Sequence, residues 1–232
     1  MEKLKEKKIK FLNKISDNWY FLYTGSNSGL FNMSCDNFLL EYFSTNKIKI
    51  PILRLYCWDK ETISLGANQS LIENYIKDFP VVKRKSGGHA VIHSTEINEI
   101  TYSLILNTSI QAKKIYFELG EVFSNFLSKY KLSASFGYAD DLYLQDFDCF
   151  NSKTSADLVV KNIKVIGSAQ FRRKDYVLTH GSIKIDRISK LSGKTILIGD
   201  VISNLKDSFI NKLNIGFMDY TLNDNENFVC TN

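Results

Sequence analysis

The 232 residues carry 30 Lys and Arg against 25 Asp and Glu, a net charge of +5, with 16 Phe, 12 Tyr and two prolines. A chain of this length can bury one large core, and the scarcity of proline and lack of low-complexity sequence exclude a flexible multidomain layout. No apolar run approaches the roughly 20 residues needed to cross a bilayer, and the first 19 residues have neither an apolar core nor a small-residue cleavage site, which excludes a secretory signal.

In chain order, residues 1–18 form a basic segment with six lysines in the first 14 positions. It reads as a solvated, frayed helix rather than a nucleic-acid arm. Residues 19–24, WYFLYT, read as a strand, and Gly25 and Gly29 break the chain before a helix over about 30–45. Residues 51–57 and 61–66 are expected to pair as strands around the turn at Trp58-Asp59-Lys60-Glu61. A short helix near 70–77 then leads to Pro80 and a strand, glycine turn and strand over 80–103. Residues 99–107, EITYSLILN, have the β-branched and aromatic content of a strand.

The clearest helix spans 109–131, where Ile115, Leu119, Val122, Phe126 and Tyr130 recur at helical spacing and form a core stripe. Residues 157–170 read as a hairpin around Lys161-Asn162. A last helix over 199–213 aligns Ile202, Leu205, Phe209 and Leu213, and 215–222 adds an edge strand. Hairpin-linked strands with irregularly interspersed helices predict an α+β fold, with a mainly antiparallel central sheet flanked by helices. The expected organisation is a basic segment (1–18), a single catalytic domain (19–226) and a tail (227–232).

Chemistry concentrates in two stretches. Gly87 and Gly88 lack the β-carbons that would keep a ligand off the backbone, and Arg84 beside them can hold a phosphate or carboxylate by paired hydrogen bonds. The same Gly-Gly pair also serves a bare hairpin turn. Lys164 lies on the return strand of the second stretch, where alternation puts it on the face of Ile166 and Ser168 and turns Gly167 away. Facing solvent it needs nothing; aimed into a pocket it needs a negative partner such as a thiolate or an oxyanion. Cys149, in DFDCFNSKTSAD, becomes a nucleophile if a cation beside it holds the thiolate, and Lys164 is the candidate cation. His89, His93 and His180 either include a base or shape the pocket by hydrogen-bonding the backbone. The cysteines at 35, 57, 149 and 230 have no metal-site spacing and no HExxH occurs, so no metal site is expected. Reduced thiols in a cytoplasmic protein are the default.

These residues resemble the biotin/lipoate protein ligase superfamily, in its lipoate ligase and octanoyltransferase branch. The resemblance rests on Asn32-Met33 with Asp36, RLYCWDKETISLG at 54–66, KRKSGGHAVIH at 83–93, ITYSLI at 100–105, VIGSAQ at 165–170 and HGSI at 180–183. It runs from about Trp19 to Asp186 and continues more weakly to about 226. Cys149-Phe150 and a lysine, Lys164, shortly before Gly167-Ser168-Ala169 are similar to the cysteine octanoyltransferases, and Ala156 before Asp157 departs from the Asn-Asp of ATP-dependent ligases. His89 and Ser94 depart from the family's usual residues. No helix-turn-helix pattern precedes Trp19, so an operon repressor is not expected.

The resemblance implies that Cys149 takes the acyl group of octanoyl-acyl carrier protein and passes it to a lysine of a lipoyl-carrier domain (a glycine-cleavage H protein or a 2-oxoacid dehydrogenase E2). Lys164 would serve Cys149, with no cofactor. Ser86, Gly87, Gly88, His89, Ala90, Val91 and Ile92 would line the acyl pocket, joined by Arg84, His93, Gly167, Ser168, Ala169, His180 and Gly181. Two alternatives remain: an ATP- and Mg-dependent lipoate–protein ligase acting through lipoyl-AMP, and a non-catalytic carrier-binding subunit of a two-part ligase. No nucleic acid or membrane partner is implied.

Overall fold

Residues 11–70, 79–95, 97–137 and 148–231 are described by a computed structural model. The described residues open with a 3-10 turn, Leu12–Lys14, followed by β1 (Asn18–Asn27), α1 (Gly29–Thr45), β2 (Ile52–Trp58), β3 (Thr62–Leu65), β4 (Val81–Lys83), β5 (Val91–His93) and β6 (Glu99–Asn107). Then come α2 (Ala112–Ser128), β7 (Ser135–Phe136), β8 (Leu158–Val160), β9 (Ile163–Arg173) and β10 (Tyr176–Lys184). The remaining elements are α3 (Ile185–Ser192), α4 (Ile198–Leu213), β11 (Gly216–Asp219) and α5 (Asp224–Thr231). Eight strands form one sheet in the order β11-β1-β2-β6-β10-β9-β8-β7, and β4-β3-β5 form a second, small sheet. The α+β expectation holds: β1 runs parallel to both its neighbours, and the rest of the large sheet is antiparallel.

Strand alternation explains the layers. Leu53, Leu55 and Cys57 on β2 and Ile100, Tyr102, Leu104 and Leu106 on β6 join one core with Leu119, Val122 and Phe126 of α2 and Leu205 and Phe209 of α4. Each such side chain taken fully from water stabilises the fold by about 1.5–3 kcal/mol. The opposite face of the same strands is also buried, but it carries Arg54, Tyr56, Glu99, Thr101 and Ser103. A buried face rich in polar groups must satisfy them internally, and it is this face that α1 and the small sheet cover. Among the described residues, no helix is long and apolar enough to cross a membrane.

Several local expectations need correction. β2 and β3 do not pair with each other, because β1 and β6 already occupy both edges of β2 and the turn after Trp58 sends the chain into the small sheet. β4 and β5 are not a hairpin either: β3 lies between them. Gly25 does not end the first strand; it sits at φ +70° within a register shift between Tyr23 and Ser26, and β1 continues to Asn27. From Phe11 the basic segment is docked rather than frayed, since the backbone N–H groups of Phe11 and Leu12 donate to the Glu118 carboxylate at 2.5 and 2.8 Å. Residues 227–231, expected as a tail, belong to α5, which packs on α1 and buries Cys230 beside Cys35 and Leu39. The short helix expected near 70–77 lies, from residue 71 on, outside the described residues.

Candidate active site

The loop before β8 brings Cys149 to β9. Its backbone N–H donates to Ala90 O at 2.8 Å, beside a parallel bridge between Ala90 and Asp148, so the cysteine is hung directly on the glycine-rich loop. Lys164 is 2 % exposed, and its ammonium donates to Cys149 O at 2.7 Å and lies 3.1 Å from Cys149 Sγ. Asp157 Oδ2 lies 3.0 Å from the same nitrogen. The lysine nitrogen thus stands within hydrogen-bond reach of both the cysteine sulfur and its carbonyl oxygen. Phe150 presents its ring to three cations, with Lys164 Nζ, Lys184 Nζ and Arg187 Cζ at 4.9, 4.8 and 5.3 Å from its centroid, an arrangement that ring quadrupoles favour.

Lys164 does not sit where simple alternation put it. Leu158 pairs with Ile166 while Val159 pairs with Lys164, so Val165 is one residue too many on β9. Such a bulge swaps faces beyond it. A β-carbon on Gly167 would consequently lie 2.9 Å from Lys164 Cε and 3.3 Å from Phe150 Cζ, so Gly167 stands on the lysine's side of the strand rather than opposite it.

The glycine turn is built around Arg84. Its guanidinium donates to Ser64 O at 2.6 Å, Gly87 O at 3.1 Å and His89 O at 2.5 Å, which shapes the turn from within. Gly88 has φ +91°, and its carbonyl lies 1.9 Å from where a β-carbon on Gly66 would be. Gly66→Ala is therefore expected to displace the turn and cost about 1–3 kcal/mol, read as a lower melting temperature together with slower alkylation of Cys149. An unchanged melt would mean the turn yields without cost.

Two buried chains of hydrogen bonds tie the site to the sheets. Ser86 Oγ lies 2.6 Å from His180 Nε2, whose Nδ1 lies 3.3 Å from Asp36 Oδ2. Asp36 also takes Arg54 at 2.7 Å and the Tyr56 hydroxyl at 3.1 Å. Burial pushes the Asp36 carboxyl up, but the Arg54 charge and His180 outweigh it and hold it below its ordinary value. In the second chain Ser64 Oγ lies 2.7 Å from His93 Nε2, and His93 Nδ1 lies 2.6 Å from Glu99 Oε1, with Lys184 on the other Glu99 oxygen. Burial moves His93 down, toward the neutral ring. For Glu99 burial acts upward, and Lys184 and then His93 overcome it, keeping the carboxylate charged. The Trp58 indole stacks on His93 at 3.7 Å and donates to Thr101 Oγ1 at 2.9 Å.

Between the two sheets lies a cleft of about 600 Å³, counting its open mouth. Cys149 and Phe150 stand on its wall with Arg84, Gly87, Gly88, Val91 and His93 from the small-sheet side. The large sheet contributes Gly167, Ser168, Ala169, His180 and Gly181. Ser86, His89, Ala90 and Ile92 are not on the wall; Ser86 and Ala90 act behind it, through His180 and Cys149. Met33, Tyr56, Trp58, Thr101 and Ser182 also line the cleft and were not singled out from sequence as site residues. A sequence signal existed for Thr101 alone, since the otherwise apolar strand EITYSLILN places Glu99, Thr101 and Ser103 on one face.

Fold and cleft together are those of a domain of the lipoate-protein ligase type. The chain belongs to the lipoyl protein ligase A/B catalytic domain family, whose profile matches residues 28–209. It is 34% identical over 186 residues to Octanoyltransferase LipM of Staphylococcus epidermidis, covering 72% of this chain and 66% of that protein. To the protein of the same name from Staphylococcus aureus it is 30% identical over 218 residues, covering 85% and 78%. The chain thus spans about two thirds of the length of the first of these relatives. Among solved structures, lipoate-protein ligase A bound with ATP superposes with a TM-score of 0.71 at 19% identity, covering 92% of this chain and 93% of that one. A bi-partite lipoate protein ligase from Thermoplasma acidophilum gives 0.70 at 18%, covering 93% and 91%. At these identities the structures speak to fold alone.

Proposed function

We propose that this protein is an octanoyltransferase that carries the acyl group on Cys149. The observation that carries the reading is the 3.1 Å approach of the buried Lys164 Nζ to the Sγ of Cys149, which stands on the cleft wall; the names of its relatives support the same activity. The Cys149 thiolate attacks the carbonyl carbon of octanoyl-acyl carrier protein, and the carrier's thiol leaves. This exchanges one thioester for another at little net cost. The amine of a lysine on a lipoyl-carrier domain then attacks the acyl-cysteine, the amide forms and Cys149 is released. The donor arrives already activated, so this route requires no ATP. Lys164 stabilises the thiolate before attack and stands beside the carbonyl oxygen as negative charge develops on it.

Intact-protein mass spectrometry after mixing with octanoyl-acyl carrier protein, without ATP, tests this. Wild type is expected to gain the mass of one octanoyl group and Cys149→Ala none. Transfer to a carrier-domain lysine should fall about 10³-fold or more in Cys149→Ala, as for other lost nucleophiles. ATP-dependent attachment of free lipoate that survives Cys149→Ala would replace this reading with a ligase. Carrier-domain binding with no transfer from either donor would replace it with a silent subunit.

A further inference from the structure

Lys164 has three N–H bonds and four acceptors around it. Cys149 O at 2.7 Å and Ser152 O at 3.4 Å are neutral carbonyls that fix where the ammonium sits. The other two, Cys149 Sγ at 3.1 Å and Asp157 Oδ2 at 3.0 Å, can carry charge. Asp157 is itself immobilised: the same oxygen accepts from Thr154 N at 2.7 Å and Thr154 Oγ1 at 3.0 Å, and its side chain is 2% exposed. A carboxylate so enclosed needs its cation, so it does more than orient the lysine.

We infer that Asp157 is the third member of a Cys149–Lys164–Asp157 unit, a positioning residue that acts through Lys164 to drive the second half of the transfer. This rests on the acyl-cysteine reading above. In the first half-reaction the thiolate forms the new C–S bond, the carrier's C–S bond breaks, and the departing carrier sulfur takes a proton from Lys164. Lys164 is then a neutral amine beside the Asp157 carboxylate, which is left buried without a cation. In the second half-reaction the acceptor's neutral amine forms the C–N bond, and its surplus proton passes to Lys164. The C–S bond to Cys149 breaks, and the thiolate is restored beside the ammonium. Protons and charge balance over the cycle. The carboxylate pulls that returning proton toward Lys164, and so favours release of the acyl group over its capture. In the resting enzyme Asp157 has the opposite effect on Cys149, because it competes with the thiolate for the same ammonium.

Asp157→Asn separates these effects, since an amide oxygen can still accept from Thr154 N while the charge is lost. Single-turnover measurements are expected to show acyl-enzyme formation preserved or faster, and its discharge to a carrier-domain lysine slower by about tenfold or more. Acyl-Cys149 should then accumulate in the steady state, with Asp157→Glu recovering part of the discharge rate. Iodoacetamide should alkylate Cys149 faster in Asp157→Asn than in wild type, a readout that needs no acyl donor. A purely structural role predicts both half-reactions and alkylation falling together, and that result overturns the proposal, as does an unchanged discharge rate. Should wild type take no octanoyl group at all, the transferase reading fails separately, and the alkylation rate alone decides whether Asp157 offsets the Lys164 charge.

Discussion

Lys164→Met is expected to lose both activity and stability, and the two losses have different origins. The side chain is buried against Asp157, whose carboxylate would remain with its Thr154 contacts but no cation. Removing one partner of a buried ion pair costs about 3–5 kcal/mol. For a chain of this size each kcal/mol lowers the melting temperature by roughly 2–4 °C. The catalytic loss comes from Cys149, which no longer faces an ammonium, and octanoyl capture should slow about 10²–10³-fold. The double variant Lys164→Met/Asp157→Asn removes the stranded charge, so the melting temperature should recover substantially while capture stays slow. Thermal melts and intact-mass time courses on the three proteins measure this. Wild-type capture by the single variant would take Lys164 out of the chemistry altogether.

The same lysine shows where sequence reasoning reached and where it stopped. Several segments were legible: the apolar stripe of α2 follows from side-chain spacing, α1 from the glycines that precede it and β6 from its β-branched and aromatic content, and Lys161-Asn162 does turn the β8–β9 hairpin, with both residues at positive φ. Pairing was less legible, because nothing in β3 records that both edges of β2 are taken. α3 and α5 span barely two turns, at eight residues each, so a spacing such as Ile185, Ile188 and Leu191 on α3 covers too few residues to decide between helix and loop. Cys149 and Lys164 were named from residue type and family resemblance, but the face Lys164 occupies depends on the bulge at Val165, which alternation cannot register. The buried carboxylates were hidden for a further reason. Asp36 lies in a helix and Glu99 at a strand end, positions where exposed acids are ordinary; only tertiary packing places Arg54 and Lys184 against them.

Arg54 offers the sharpest test of that hidden layer. Its guanidinium donates to Asn32 O and Asn32 Oδ1 at 3.0 Å each, to Thr24 Oγ1 at 3.0 Å and to Asp36 at 2.7 Å, and it lies 4.0 Å from the Tyr56 ring centroid. Arg54→Met leaves Asp36 buried without its counter-charge, at a cost of about 3–5 kcal/mol near neutral pH. The pH dependence carries the diagnosis. In wild type the Asp36 carboxyl is held below its ordinary 3.8 despite burial, chiefly by Arg54. Its contribution to stability is therefore present above about pH 4 and is lost as pH falls through the folded-state value. Without Arg54, burial goes unopposed by that charge, the carboxyl moves up, and the variant is relieved rather than weakened as Asp36 takes a proton. The gap in melting temperature between the two proteins should be widest at neutral pH and narrow steadily toward pH 4. A gap constant across that range would mean that lost packing on Tyr56, not the stranded carboxylate, accounts for the damage. Because Asp36 holds His180, and His180 holds Ser86 in the glycine turn, Arg54→Met should also loosen the cleft. Weaker saturation by the octanoyl donor would report it, in the protein that remains folded at low temperature.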